Sequence, residues 1–432
     1  MSRDGADGLP ASASTDSAAG KGRWYALALL TGILTVHFID RNVIGVVIEP
    51  LKKEFGFSDS MVGILAGFAH SASLGVMVLP VGWLADRMNR VRLVAMLVAL
   101  WSALTGLGSL AQGYVSLLLM RIGVGAAEAG CSPASVSLIS DLFPRKERPT
   151  AIGLYYVGAG LGTGAVFLFG GYLAQHFGWR TVFLLAGLPG IALGVLLWCT
   201  VREPRRVGPM EAGARASMRE ALRELATNRA VQAVIAAGCI ASMAQASAWI
   251  WMASFMVRSH VLSLAQAGMV VAASAAIGKT IGSAASGPLA RWWSRDQADQ
   301  LWRYPAITLL LSIPLGWGMV LLPSAVAAIA CAMVLGMLLG GWAPQIQAIL
   351  VSLVPQTLRA TSLSLWHLLA NVFGVGAGPF LTGALSDWIG GPRGLGYAIG
   401  WTVTLNLAAV LCIAASARVG MKTRTSLAPV SS

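Results

Sequence analysis

Residues 24–47, WYALALLTGILTVHFIDRNVIGVV, form an apolar run that is long enough to cross a bilayer as an α-helix. A spanning helix needs roughly 20 predominantly apolar residues. Asp40 and Arg41 stand inside this run, where an ionised side chain near mid-membrane costs at least ~2.5 kcal/mol and therefore usually faces a protein interior or a water-filled path. We interpret the pair as a candidate functional site, with an inert ion pair between two helices as the alternative.

The chain as a whole is strongly apolar. Of its 432 residues, 56% are hydrophobic and 11% are charged, with a mean hydropathy of +0.70, whereas soluble domains carry about 25% charged residues. These values predict an all-α membrane protein, because the apolar segments are too long and too uniform for the strands of a barrel. The pattern indicates twelve transmembrane helices, at residues 24–47, 59–84, 93–111, 115–140, 150–173, 179–201, 230–257, 264–289, 304–322, 325–353, 358–385 and 396–416.

One long linker divides the chain into two six-helix halves that are faintly related in sequence. Four residues of the first half recur 211 positions later in the second half: Pro133, Pro144, Arg148 and Thr150 match Pro344, Pro355, Arg359 and Thr361. Such duplication is typical of transporters whose substrate binds between two halves. The predicted order is a disordered N-terminal tail (1–23), an N-terminal bundle (24–201), the linker (202–229), a C-terminal bundle (230–416) and a C-terminal tail (417–432).

The basic residues predict the orientation of the chain in the membrane. Both termini and the even-numbered loops hold 23 of the 31 Lys and Arg residues, and the odd-numbered loops hold 5. Because Lys and Arg in short loops stay on the cytoplasmic side, both termini are predicted to be cytoplasmic in a multi-pass protein of the cell inner (plasma) membrane. The net charge of +13 is then explained by this asymmetry and by anionic lipid, so we expect no nucleic-acid partner.

A loop motif between the second and third predicted helices carries a family resemblance. Residues 82–92, GWLADRMNRVR, resemble the corresponding loop of the major facilitator superfamily, although Asn89 replaces the usual glycine and Val91 a basic residue. The resemblance implies two pseudo-symmetric six-helix bundles. It also implies a cytoplasmic latch that stabilises the outward-open state.

The latch residues follow from that resemblance. Asp86 would face the N-terminal end of helix 11, whose dipole favours an anion. Arg90 would pair with an acid at the end of helix 4, for which Asp141 is the candidate, and Arg87 lies in the same motif. The alternative interpretation is a simple turn within a cluster of cytoplasmic basic residues.

The resemblance narrows to the spinster-like branch of the superfamily. The matching stretches lie in the first half: FIDR (38–41), EPLK (49–52), RIGVG (121–125), SDLFP (140–144) and VREP (201–204). Eukaryotic members of this branch move lysophospholipids and sphingosine phosphates. The resemblance implies proton-coupled alternating access, whereas the weaker match of the second half leaves the substrate open.

Helix geometry places the intramembrane charges in two tiers. At 1.5 Å per residue, Asp40 on helix 1 and Arg121 on helix 4 both lie roughly 10 Å below the outer membrane surface. Glu128 follows Arg121 by two turns, roughly 10 Å deeper, near the expected depth of Lys279. We therefore predict an upper tier of Asp40, Arg41 and Arg121 and a lower tier of Glu128 and Lys279.

The tiers predict roles for these side chains. If all five are ionised, one positive charge is unbalanced, and an anionic substrate group would neutralise it. We predict Asp40 and Glu128 as proton carriers, since each lies near cations that can move. Arg41 and Arg121 would bind a headgroup or gate the path, together with Lys279 in the lower tier. A further member of the upper tier would be His37, with a packing histidine as the alternative.

These features together predict a proton-coupled secondary transporter of an amphiphilic anion, lysophospholipid-like or sphingolipid-like, that works as a monomer. We expect no metal and no cofactor, with the proton gradient as energy source and the bilayer as environment. The five cysteines are read as small apolar side chains. A transporter of small organic anions or drugs, a non-transporting receptor and a lipid scramblase stay open as alternatives. An enzyme is not expected, because the chain lacks a nucleophile-base arrangement and a nucleotide loop.

The latch hypothesis predicts the effect of an isosteric substitution at Asp86. Replacing Asp86 with Asn removes the charge that the helix dipole would stabilise. We expect transport to fall while the protein still elutes as a single folded species in size-exclusion chromatography. Full retained transport activity in vesicles would contradict the latch.

Overall fold

The structure is a computed structural model that describes residues 13–204, 223, 226–294 and 300–427. These ranges contain helices and no strand. Twelve of the helices are long and apolar enough to cross a membrane, which confirms the predicted fold class. We number them α1 to α12 in chain order: Gly22–Phe55, Asp59–Ala85, Arg90–Leu110, Tyr114–Leu142, Arg148–Phe177, Trp179–Thr200, Arg229–His260, Leu264–Trp293, Arg303–Leu321, Ala325–Leu353, Thr361–Ile389 and Gly394–Arg418.

The ends of the first and last helices differ from the prediction. Helix α1 is already helical from Ala13, inside the tail that was predicted to be disordered, and α12 continues to Leu427, inside the predicted C-terminal tail. Alanine is the strongest helix former, and the sequence after residue 12 is rich in it. Residues 1–12 and 428–432 lie outside the described part of the chain, as does the linker over residues 205–222.

Helix α1 also extends further than predicted at its other end. It runs to Phe55, eight residues beyond the predicted end at residue 47, and contains Pro50. The added turns carry Glu49 and Lys52. Glu49 forms an ion pair with Arg258, and Lys52 forms one with Asp59. Polar side chains end an apolar run in the sequence, but they do not end the helix.

Twelve successive crossings give the molecule two sides. Odd-numbered helices run away from the side that holds both termini, and even-numbered helices run back to it. We call these the termini side and the distal side.

The two halves pack in parallel ways. Helix α1 packs on α5 and α6 and α3 on α6, while in the second half α7 packs on α12 and α9 on α10 and α12. Among the described residues, the halves meet mainly where α1 packs on α7, α2 on α11 and α5 on α8. This arrangement surrounds a central axis with helices from both halves.

Several helices contain irregular segments. Helices α2, α8 and α11 contain π-helical segments at Ile64–Phe68, Ala273–Gly278 and Ala370–Gly376. Helix α4 is broken directly after Glu128, where Gly130 has a φ of 79°, a backbone conformation that glycine adopts readily. Single-turn π segments often occur at functional sites because they change the backbone hydrogen-bond pattern.

Glycine allows α5 to approach α1 closely. A Cβ atom on Gly162 would collide with the backbone carbonyl of Thr35 and lie 2.9 Å from the Cβ of Phe38. Gly160, two residues earlier on the same helix, has nothing within 4 Å of the corresponding position. Small residues permit such contacts between membrane helices.

These two glycines give a matched pair of substitutions. We expect Gly162→Leu to destabilise the fold by about 1–3 kcal/mol, because the larger side chain forces α1 and α5 apart. Gly160→Leu should change stability little. Thermal unfolding of the purified variants in detergent measures both, and equal melting temperatures for the two variants would contradict this packing.

Candidate functional site

Arg121 of α4 is fully buried and binds backbone rather than carboxylate. Its Nε donates to the carbonyl of Leu65 at 3.1 Å, Nη1 to the carbonyl of Asp40 at 2.9 Å, and Nη2 to the carbonyl of Arg41 at 3.3 Å. Leu65 belongs to the π-helical segment of α2. The guanidinium therefore ties α4 to α1 and α2 at one point.

Asp40 is also fully buried, yet both of its carboxylate oxygens lack a hydrogen-bond partner among the described residues. The side chains of Trp101 and Thr105 on α3 lie within interacting range of this carboxylate, but neither completes a hydrogen bond. Arg121, which shares the predicted upper tier, forms no ion pair with this carboxylate, because its donors bind backbone carbonyls.

Arg41 reaches the other half of the molecule. Its Nη2 donates to Oδ1 of Asn371 at 2.7 Å, and Asn371 lies in the π-helical segment of α11. Among the described residues, no carboxylate forms an ion pair with Arg41 and no cationic side chain forms one with Asp40. Within the described residues, neither side chain thus makes an ion pair that would join two helices, and the functional role of Asp40 and Arg41 stays a prediction.

Glu128 contacts two imidazoles. Its Oε2 lies 2.8 Å from Nε2 of His70 on α2 and 3.3 Å from Nδ1 of His37 on α1. Its Oε1 has no described hydrogen-bond partner. All three side chains are buried. Within the described part of the chain, no group of His, Cys, Asp or Glu is arranged to hold a metal ion.

This contact corrects the predicted tiers. His37 was placed with the upper tier, but the structure puts it against Glu128 in the lower one. Helix α1 runs towards the distal side and α4 runs away from it. His37, which precedes Asp40 on α1, and Glu128, which follows Arg121 on α4, therefore both lie further from the distal side than the upper tier. His70 is not among the predicted site residues, and its single sequence signal is its position inside an apolar helix.

Lys279 completes the predicted lower tier, but its side chain lies outside the described residues. So does the side chain of Asp86. Their roles stay predictions.

The latch motif has one expected contact and one unexpected contact. Arg90 forms an ion pair with Asp141 at 2.7 Å, as expected, and a second with Glu203 at 2.7 Å. The carboxylate of Glu203 also accepts from the backbone N–H of Val91 at 3.0 Å. Arg87 instead stacks on the ring of Trp83 at 3.9 Å. The latch function of these residues stays a prediction.

An ion-pair cluster at the distal side was not predicted from the sequence. Asp59, at the start of α2, accepts two hydrogen bonds from the guanidinium of Arg258 on α7, both at 2.9 Å. Asp59 also pairs with Lys52 and accepts from the hydroxyl of Ser386 on α11 at 2.6 Å. Arg258 binds Glu49 of α1 as well, at 2.8 Å.

Asp387 adds a second connection between α11 and α2. Its carboxylate accepts from the backbone N–H groups of Asp59 at 2.9 Å and Ser60 at 2.8 Å, which caps the exposed N–H groups at the start of α2. We call the whole cluster the distal lock: Glu49, Lys52, Asp59, Arg258, Ser386 and Asp387.

The described contacts between the halves are concentrated away from the termini side. Besides the distal lock, the backbone N–H of Ala265 donates to Gln175 at 3.1 Å on the distal side. Arg41 and Asn371 join the halves near mid-depth.

The comparison with known proteins agrees with this architecture. A family model described as "Major Facilitator Superfamily" matches residues 30–375. The chain belongs to the Major Facilitator Superfamily. It is 30% identical over 406 residues to an "MFS-type efflux pump" of Mycolicibacterium smegmatis, and the match covers 91% of each protein.

Two further matches relate the chain to the spinster branch. It is 28% identical over 234 residues to the "Sphingosine-1-phosphate transporter SPNS2" of Danio rerio, covering 52% of this chain and 46% of that protein. The crystal structure of a bacterial homolog to the human lysosomal transporter Spinster, in an inward-facing and unoccupied conformation, matches with a TM-score of 0.83 and 27% identity over 93% of this chain and 98% of that chain. The resemblance to spinster-like transporters is confirmed, and the protein is a membrane transporter rather than an enzyme.

The contacts of Arg121 predict its sensitivity to a conservative change. A lysine keeps the charge but cannot bond three carbonyls in the geometry of a guanidinium. Each hydrogen bond lost by the buried charged group costs about 1.5–3 kcal/mol. We therefore expect Arg121→Lys to lower the melting temperature clearly.

A surface arginine supplies the control. Arg180 pairs with the exposed Glu54 at 2.7 Å, and exposed ion pairs contribute little to stability. Arg180→Lys should leave the melting temperature unchanged. If the two variants melt alike, Arg121 does not hold α1, α2 and α4 together.

Proposed function

We propose that the protein is a proton-coupled secondary transporter of an amphiphilic anion, lysophospholipid-like or sphingolipid-like, that works by alternating access. It acts as a monomer in the cell inner (plasma) membrane, with both termini in the cytoplasm and the distal side outside. The observation that carries this proposal is the pair of buried carboxyl groups, Asp40 and Glu128, beside Arg41 and Arg121.

The carboxyl groups support proton coupling. An ionised carboxylate that is buried without partners is very costly, whereas the protonated acid is much less so. Asp40 has no described hydrogen-bond partner on either oxygen, and Glu128 has none on Oε1. Both groups therefore suit a cycle in which a proton is bound in one conformation and released in another.

The arginines support an anionic substrate. When Asp40 and Glu128 are both protonated, the positive charges of Arg41 and Arg121 lose their counter-charges. Arg41 is the more suitable headgroup ligand, since its described side-chain partner is the neutral amide of Asn371 at the boundary between the halves. Guanidinium groups bind carboxylates and phosphates through paired donors. A bound proton would thus favour a bound anion.

Alternating access is supported by where the halves are joined. The distal lock ties the two halves together on the distal side. The matching spinster homolog is inward-facing. A lipid-like substrate is supported by the similarity to a transporter whose name specifies sphingosine-1-phosphate.

A second candidate function is export of small organic anions or drugs. It is favoured by the 30% identity to an efflux pump over 91% of both proteins. The same buried charges would serve either substrate class. Uptake into vesicles with a panel of lysophospholipids, sphingosine phosphates and small organic acids distinguishes the two.

Two isosteric variants test proton coupling. In vesicles with an imposed pH gradient, we expect Asp40→Asn and Glu128→Gln each to abolish or strongly weaken the dependence of transport on that gradient, because neither amide can release a proton. Glu54→Gln is the matched control, since Glu54 is an exposed carboxylate paired with Arg180, and it should retain the wild-type dependence. If both site variants show an unchanged pH dependence, the two carboxyl groups do not carry the proton.

A further inference from the structure

Helix α2 connects the buried charge cluster to the distal lock. At its start, Asp59 belongs to the lock and the backbone N–H groups are capped by Asp387 of the other half. Two turns further on, the carbonyl of Leu65 accepts from Arg121. One to two turns beyond that, His70 contacts Glu128. Arg121 and Glu128 thus both hold α2 from the same helix, α4.

Helix α2 is held by α4 of its own half beside His70 and by α11 of the other half at Gly63, Gly67 and Gly75. Near His70, the helix packs tightly on α4, because a Cβ on Gly125 would collide with the carbonyl of His70. Towards the distal side it packs on α11, where a Cβ on Gly63 would lie 2.5 Å from the carbonyl of Pro379. The π-helical segment Ile64–Phe68 lies between these two anchors.

This arrangement distinguishes α2 from α1, which also reaches the lock. Helix α1 is continuous from Ala13 to Phe55, with no irregular segment between His37 and Glu49. Helix α2 instead changes from α-helical to π-helical hydrogen bonding at the segment that contains Leu65, the residue that Arg121 binds. A helix with an irregular segment bends there more readily than a regular one.

We propose that His70 is the positioning residue through which the charge on Glu128 sets the bend of α2 and, with it, the state of the distal lock. The proposal rests on the proposed function and adds a structural connection from Glu128 to the distal lock. When Glu128 is charged, its Oε2 accepts the N–H of His70. When Glu128 is protonated, that N–H loses its anionic acceptor and the contact must rearrange.

The surroundings of His70 make this contact sensitive to protonation. The charged or titratable side chains that face it are Glu128 and Arg121 on α4 and His37 and Arg41 on α1, with Asp40 close to Glu128. Neutralising Glu128 removes an anion from among these groups. By linkage, a proton that binds one conformation more tightly must shift the molecule towards that conformation.

The experiment measures the distal opening directly. Spin labels are attached at Lys53→Cys on α1 and Pro392→Cys before α12, two exposed distal positions on opposite halves, after replacing the five native cysteines by alanine. The label-to-label distance distribution is recorded in lipid at acidic and alkaline pH. In this background we expect the distribution to shift with pH.

Two substitutions remove the contact in different ways. His70→Asn keeps a polar side chain that is too short to reach Glu128, and His70→Phe keeps the ring without its nitrogens. We expect both to lose the pH-dependent shift of the distance and to flatten the pH profile of transport. His176→Asn is the control, because His176 lies on α5 against the ring of Tyr172 and should retain the shift.

A third variant separates the contact from general damage to the fold. Glu128→Gln mimics the protonated acid, so its distance distribution at alkaline pH should resemble that of the unsubstituted protein at acidic pH. If a His70 variant keeps the full shift while transport stays proton-coupled, His70 has no such role and the proposed function stands. If the unsubstituted protein shows neither a shift nor proton-coupled transport, both proposals are overturned.

Discussion

The three hydrogen bonds of Arg121 to backbone carbonyls are the interaction on which the buried charge cluster depends. A guanidinium in the membrane interior must satisfy its donors, and here Asp40, Arg41 and Leu65 supply carbonyl oxygens rather than carboxylates. Carbonyl oxygens are partial charges, so the arginine is held without being neutralised. Within the part of the chain that the structure describes, the carboxyl group of Asp40 consequently forms no ion pair.

This arrangement gives the N-terminal half two kinds of charged group. Arg121 is structural, because it joins three helices, and its contacts do not require a second ionised group. Asp40 and Glu128 are left incompletely satisfied, which is unfavourable for folding and suitable for exchanging protons. Arg41 points towards the second half and meets Asn371 there. The buried cluster thus belongs mainly to one half, while the distal lock is shared between both.

Much of this organisation could be predicted from the sequence. The twelve helices follow from segment length and apolarity, and the candidate site residues were singled out because each one is anomalous in lipid. Their partners were harder to predict. A carbonyl acceptor such as that of Leu65 leaves no mark in the sequence, since every residue has a carbonyl group. The pairing of His37 with Glu128 required the depths of two antiparallel helices to be compared residue by residue.

The distal lock was missed for a different reason. Asp59, Arg258 and Asp387 lie near helix ends, where charged residues are ordinary, and they are separated by up to 328 positions. Nothing local distinguishes such residues from surface charges. His70 was underestimated because one polar residue in an apolar helix usually serves helix packing.

The central claim is that Asp40 and Glu128 exchange protons within the pH range over which the protein works. Infrared spectroscopy of the protein in lipid measures this directly, because carboxylic acids and carboxylates absorb at different frequencies. Titration with pH, using Asp40→Asn and Glu128→Gln to assign the bands, should show both groups changing between acid and carboxylate over the range in which transport changes. Carboxyl bands at both positions that stay constant throughout this range would contradict the account.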